Sequence, residues 1–159
     1  MGLNQFFDEN LVFCLNPNTQ EELFDQVADL LESRNVVKST YRAAIKEREK
    51  SFPTGLDMEF LGKELPNVAI PHTDIQHNLT EKVVVVRLAR PITFHNMIAP
   101  DKEVSVSFGF FIINNSSTAQ TNILAQLMEF FTGSGHLEEL SKLETPAALY
   151  RFISEATAE

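Results

Sequence analysis

A single cysteine, Cys14, stands in the apolar run "LVFCL" with no second thiol in the chain. A disulfide framework is therefore excluded, and a reduced, cytoplasmic setting fits the chain. Positive charge is scarce as well: 13 Lys and Arg stand against 22 Asp and Glu, a formal charge of -9. Most of the surface would repel a phosphate backbone, which argues against nucleic acid as a partner. Long hydrophobic runs are missing. "VSVSFGFFII" and "VVVVRLA" fall well short of the ~20 apolar residues that span a bilayer. The start "MGLNQFFDEN" has no basic region ahead of an apolar core, so neither export nor direct membrane insertion is expected. Phe6 also stands where a myristoylation signal after Gly2 needs Ser or Thr. Glycine-rich phosphate loops, zinc-type Cys/His spacing, internal repeats and low-complexity linkers do not occur.

What is present is the composition of an ordinary globular protein, with 43% hydrophobic and 22% charged residues in 159. That length suits one domain, residues 1–159, around one substantial core. "LVFCL" reads as a first strand. Leu23, Phe24, Val27, Leu30 and Leu31 then recur at amphipathic-helix spacing, with Thr19 and Glu22 in capping-box register. A second helix follows from a Ser39 or Thr40 cap through Tyr41, Ala44, Ile45 and Arg48, and "FPTG" ends it, leaving Arg48 in its last turn. Short apolar runs at 58–61 and 68–70, separated by the polar "GKELPN", suggest two short strands or one strand with a long turn.

"KVVVVRLARP" and "EVSVSFGFFII" read as interior strands, the second alternating through Val104, Val106, Phe108, Phe110 and Ile112. Ser117 and Gln120 stand in capping-box register before a helix carrying Ile123, Leu124, Leu127, Met128 and Phe131 on one face. The tail predicts a short helical piece and a last helix with Thr145 as N-cap, Pro146 at its first position, and Leu149, Tyr150 and Ile153 inward. Interleaved helices around apolar strands predict an α/β fold, a mixed β-sheet with helices on both faces in three layers.

Within "NVAIPHTDIQHN" the proline forces Ile70 into extended geometry and cannot donate to a ladder, so pairing is expected to stop at Ile70. His72 then sits just past a strand's carboxyl end, where ligands and reacting groups collect in open α/β sheets. An imidazole there, with an ordinary pKa of ~6.5, can offer one ring nitrogen as nucleophile while a backbone carbonyl orients the other.

"NVAIPH" resembles the active-site motif of the fructose/mannitol-type enzyme IIA proteins of the bacterial phosphoenolpyruvate-dependent sugar phosphotransferase system (PTS). "REKSFPTGL" and "RPITFHNMIAPDKEVSVSFGFFI" are similar to further family segments, so the resemblance runs from about Tyr41 to the end. "FPTG" after "REK", with a second histidine five residues after the first, is most similar to the galactitol-type branch. The resemblance implies the enzyme IIA fold and a phosphotransferase with a phosphohistidine intermediate. His72 would take a phosphoryl group from the phosphocarrier HPr and pass it to a cysteine of a cognate enzyme IIB, and through it serve the membrane enzyme IIC. Neither metal nor cofactor is implied.

The resemblance also places Arg48 as the clamp on phosphoryl oxygens, a task its planar guanidinium suits. Where mannitol- and fructose-type members carry a second active-site histidine, this chain has Gln120, whose amide can donate to a phosphoryl oxygen. His77 is a candidate neighbour of the site. Thr73 replaces the glycine that many members place after the active histidine and brings a hydroxyl. Phe52, Ile75 and Ile98 are the expected docking residues, while His95 and His136 read as surface or turn residues. Two other readings stand beside this one: a regulatory module that senses phosphorylation state, and a hydrolase built on His72, Asp74 and Thr73.

Overall fold

The computed structural model describes residues 2–116 and 119–158, the side chains of residues 119–121 excepted. Strand β1 (Val12–Leu15) leads to α1 (Gln20–Ser33), whose N-cap Thr19 accepts the Glu22 backbone N–H at 3.1 Å. Helix α2 (Tyr41–Ser51) precedes β2 (Gly55–Leu56) and β3 (Asn67–Ala69). The long strands β4 (Lys82–His95) and β5 (Glu103–Ile113) form a hairpin, followed by α3 (Ala119–Thr132), α4 (His136–Lys142) and α5 (Pro146–Ala156).

The five strands lie in the order β1-β4-β5-β3-β2. β1 runs parallel to β4 and β3 to β5, whereas β4–β5 and β2–β3 are antiparallel, so the sheet is mixed. Helices α1 and α2 bury Leu23, Phe24, Val27, Leu31, Tyr41 and Ile45 on one face, against Val84, Val86, Phe94 and Phe111. On the other, α3 to α5 bury Ile123, Leu127, Phe131, Leu149 and Ile153 against Val83, Val85, Phe108 and Phe110. The expected three layers are thus present, and Val83 to Val86 are fully buried because both faces of their strand are covered.

Four local expectations need correction or qualification. Of the two readings of residues 58–70, one strand with a long turn holds and two strands do not: Glu59–Leu61 is a 3₁₀ turn, because the Asp57 carboxylate accepts the Glu59 N–H at 2.8 Å and the Asn67 side chain accepts that of Met58. The alternation along β5 also breaks. Val104 and Val106 face the α1–α2 core, but Phe108, Phe110 and Ile112 face the other, because Ser107 is an inserted residue against β3, where Val106 pairs with Asn67 and Phe108 with the next residue, Val68. Thr40 occupies the N-cap of α2 without capping it, its hydroxyl going instead to His77. The capping pair of Ser117 and Gln120 lies outside the described residues and side chains.

Candidate active site

Strand β3 ends at Ala69, since Pro71 has no N–H to continue the ladder. Pairing nevertheless resumes beyond the proline, unlike the expected stop: the Pro71 carbonyl accepts the Ile112 N–H at 3.0 Å, and His72 bridges to Ile112 in parallel sense. A proline removes one donor but keeps its acceptor, so the strand is pinned on one side of His72. On the preceding residue the Ile70 N–H donates to the Thr54 carbonyl at 3.2 Å.

His72 is 8% exposed, and its Nδ1 lies 2.8 Å from the Ile70 carbonyl oxygen. A carbonyl only accepts, so Nδ1 carries the proton and Nε2 keeps its lone pair. Burial holds the imidazole below its usual pKa, and the nearby Arg48 charge acts in the same direction; the bond to Ile70 and the Asp74 charge oppose them. The ring is therefore neutral, with its nucleophilic nitrogen defined, at neutral pH.

Arg48 lies in the last turn of α2, as expected from the sequence. Its Nη1 donates to Asp74 at 3.2 Å and its guanidinium lies over the Phe52 ring, 5.0 Å from the centroid. Its Nε is buried with no hydrogen-bond partner among the described residues. An orphaned buried donor on a cation whose charge is felt at His72 is a ready contact for an anion.

The loop after His72 is braced rather than open. Thr73 is buried, and its hydroxyl donates to the Asp74 carbonyl at 2.9 Å and to the Asn78 side chain at 3.4 Å. The Asn78 amide donates to the Asn114 carbonyl just past β5 at 2.7 Å, and Asn114 in turn bonds the backbone of Ser116 on both sides of its amide. His77 is drawn elsewhere: its Nδ1 lies 2.8 Å from the Thr40 hydroxyl, and its carbonyl accepts the Lys38 N–H at 2.9 Å. Gln120 belongs to the first turn of α3, and its side chain lies outside the description. His95 and His136 each turn Nδ1 to a local carbonyl, Pro100 and Phe130 respectively, and His136 stacks on Phe130.

Sequence reasoning passed over Asn78, Asn114, Glu49 and Thr54. Glu49 is 5% exposed, accepts both the N–H and the hydroxyl of Thr54, and has a carboxyl pushed by burial up to about 7. The only available signal was its place beside Arg48 in "REK".

The family model for the phosphoenolpyruvate-dependent sugar phosphotransferase system, EIIA 2, matches residues 5–156. No curated protein matches the chain significantly in sequence. Among solved structures it is similar to the mannitol-specific cryptic phosphotransferase enzyme IIA CmtB of Escherichia coli, at 18% identity and a TM-score of 0.74 over 98% of this chain and 99% of that one. It is also similar to the nitrogen regulatory protein IIA-Ntr of Neisseria meningitidis, at 20% identity and a TM-score of 0.70 over 95% and 98% of the two chains. Enzyme IIA-mannitol of Escherichia coli, solved in complex with phosphorylated enzyme IIB-mannitol, matches at 17% identity and a TM-score of 0.71 over 94% and 99%.

Proposed function

The chain belongs to the EIIA 2 family of the phosphoenolpyruvate-dependent sugar phosphotransferase system, and from that premise we propose that His72 is its phosphoryl carrier. The Nε2 lone pair of His72 attacks the phosphorus carried on a histidine of HPr. As the new N–P bond forms, the old one breaks and its electron pair returns to the donor ring. In the second step a thiolate of the cognate enzyme IIB attacks the same phosphorus, and the pair of the breaking bond returns to Nε2. The observation that carries the reading is the bond from His72 Nδ1–H to the Ile70 carbonyl, which leaves Nε2 as the free nucleophile.

Charge on the transferring oxygens calls for fixed donors. Arg48 supplies them: among the described residues its Nε has no partner, and it pairs with Asp74, a carboxylate with 67% side-chain exposure that exchanges readily with a better anion. Gln120, in the first turn of α3, is placed in the chain to add an amide donor beside the backbone N–H groups of a helix start. Thr73 and His77 take lesser parts, since the first is bonded within the loop and the second to Thr40. Phe52 and Ile98, 61% and 88% exposed, with half-buried Ile75, form the docking patch shared by HPr and enzyme IIB.

The whole of residues 1–159 acts as one cytoplasmic unit, coupled through enzyme IIB to enzyme IIC. The "FPTG" and "NVAIPHTDIQH" segments are most similar to the galactitol-type branch and support a role in uptake of galactitol or a related polyol or sugar. The similarity to a nitrogen regulatory IIA protein favours a second reading, in which the same phosphohistidine reports phosphorylation state to a regulatory partner. The hydrolase reading has less support, because Nδ1 faces a carbonyl and Asp74 pairs with Arg48.

The test is to incubate the chain with phosphoenolpyruvate, enzyme I and HPr and to read its intact mass. One acid-labile phosphoryl adduct is expected, lost in His72→Ala; an adduct that survives the substitution refutes the assignment. Discharge by enzyme IIB separates transport from regulation.

A further inference from the structure

Glu49 is a carboxyl group in the interior beside the site, and nothing in the transfer chemistry above uses it. It follows Arg48 in α2, and because successive helical residues point ~100° apart, one turn can send Arg48 toward His72 and Glu49 beneath the strap that leaves the helix. There Oε2 accepts the Thr54 N–H at 2.7 Å and Oε1 accepts the Thr54 hydroxyl at 2.8 Å. Thr54 is 2% exposed, so its backbone has no water to turn to.

From Thr54 the bonds continue in series. Its carbonyl accepts the Ile70 N–H at 3.2 Å, and the Ile70 carbonyl accepts His72 Nδ1–H at 2.8 Å. The other side of the strap is closed by the end of β4, where a Cβ on Gly55 would come within 2.7 Å of the His95 carbonyl. The strap is thus wedged between a carboxylate and a strand, with no slack to shift sideways. Pro71 removes the alternative donor that Ile70's neighbour would otherwise offer, leaving this path to set where the Ile70 carbonyl points.

We propose that Glu49 is a positioning residue: by gripping Thr54 through both carboxylate oxygens it fixes the Ile70 carbonyl, and with it the tautomer and orientation of the His72 ring. The inference rests on the transfer reading only for its consequence in rate, since the tautomer itself can be observed without any transfer. The charged groups facing Glu49 are Arg48 on its own helix and His95 at the end of β4, both favouring the carboxylate, against the dominant effect of burial. Its carboxyl is pushed up to about 7, so the two-oxygen grip is complete only above neutral pH.

The experiment is nitrogen NMR of the full chain, uniformly labelled at histidine, at pH 8, paired with the rate of phosphoryl acceptance from phospho-HPr. In the wild type His72 is expected as one tautomer with the proton on Nδ1. Glu49→Ala should give a mixture of tautomers and slow acceptance by roughly ten- to a hundredfold, the scale of a displaced reacting group. Glu49→Gln, which keeps one acceptor, should recover most of both and lose the wild type's drift in the His72 shifts between pH 8 and 6.5. Thr54→Val, which removes only the hydroxyl, gives a milder version of the alanine result and serves if Glu49→Ala does not fold. Unchanged His72 nitrogen shifts in these variants overturn the proposal, whatever the rates do. A tautomer that responds to Glu49 in a protein that accepts no phosphoryl group upholds the positioning and overturns the transfer reading.

Discussion

Helix α2 carries two arginines that live in opposite circumstances. Arg42, in its first turn, is held at both terminal nitrogens: Nη1 donates to the Asp25 carboxylate and carbonyl, and Nη2 pairs with Asp29 and Glu32. Lys46, one turn on, adds a 2.7 Å pair to Asp25 and a longer one to Glu21. Arg48, in the last turn, has among the described residues one ion pair, one aromatic face and one orphaned donor. The two are alike in residue type and helix, so the difference lies in what the rest of the fold brings up to them. A cation whose terminal nitrogens are both held by carboxylates ties α1 to α2; a cation with a donor left unpartnered among the described residues, near a neutral imidazole, is equipped to receive an anion.

Breaking that contrast at its functional end should have the largest effect. Arg48→Met is expected to slow phosphoryl acceptance by His72 by roughly a hundredfold or more, the scale for removal of a transition-state donor, with little change in Tm. Arg48→Lys should lose less, keeping charge without the fork; stopped-flow transfer from phospho-HPr measures both.

Next in size is the pH dependence of stability, which has opposite signs for Glu49 of α2 and for Asp25, the α1 carboxylate that Arg42 and Lys46 hold. Glu49 is raised from 4.5 to about 7, so the stability it contributes is complete below about pH 4.5 and is lost as pH rises through 7. Asp25 is held below its ordinary range by hydrogen bonds from Lys46 and then Arg42, so its contribution is present above that range and is lost as pH falls through the lowered value. His72, depressed by burial, adds stability above its usual 6.5 that is lost as pH falls through its lowered value. Urea unfolding from pH 4 to 8 should show Glu49→Gln removing the decline toward neutral pH while leaving the acid limb.

A smaller effect is expected from Arg42→Met, which should leave phosphoryl acceptance unchanged and lower Tm by only a few degrees. Most of that loss should vanish in 1 M salt, because the network is largely solvated and screened. The least consequential change is Asp74→Asn. It frees Nη1 of Arg48, and because the carboxylate it removes is exposed, transfer should change by no more than about fivefold. A collapse of activity in this variant would mean that Asp74 positions Arg48 rather than merely parking it.

Much of the frame was legible before any coordinates. The heptad-like spacing of α1, the β-branched run of β4 and the Thr145-Pro146 start of α5 are local rules, and each element appears where the pattern puts it. Pro71 announced a loop at His72, and the carbonyl expected to orient the ring is that of Ile70. The errors came where a local rule met a distant partner. Apolar character at 58–61 left a strand or a long turn open, and the side chain of Asn67 and the carboxylate of Asp57 decided for the turn by claiming the backbone donors. Even alternation along β5 suggested one buried face, but the bulge at Ser107 handed half of it to the opposite core.

By itself, then, the sequence determined the long helices and strands, that β3 ends before Pro71, and that an arginine lies in the last turn of α2, because those follow from side-chain period, capping and the geometry of a proline ring. Only the tertiary structure decided that Arg42 meets three carboxylates and Arg48, among the described residues, one, that Glu49 is buried against Thr54, and that His77 leans to Thr40. Burial and long-range hydrogen bonds depend on which surfaces meet, and meeting surfaces are a property of the packed sheet and its two helical layers rather than of any stretch of chain.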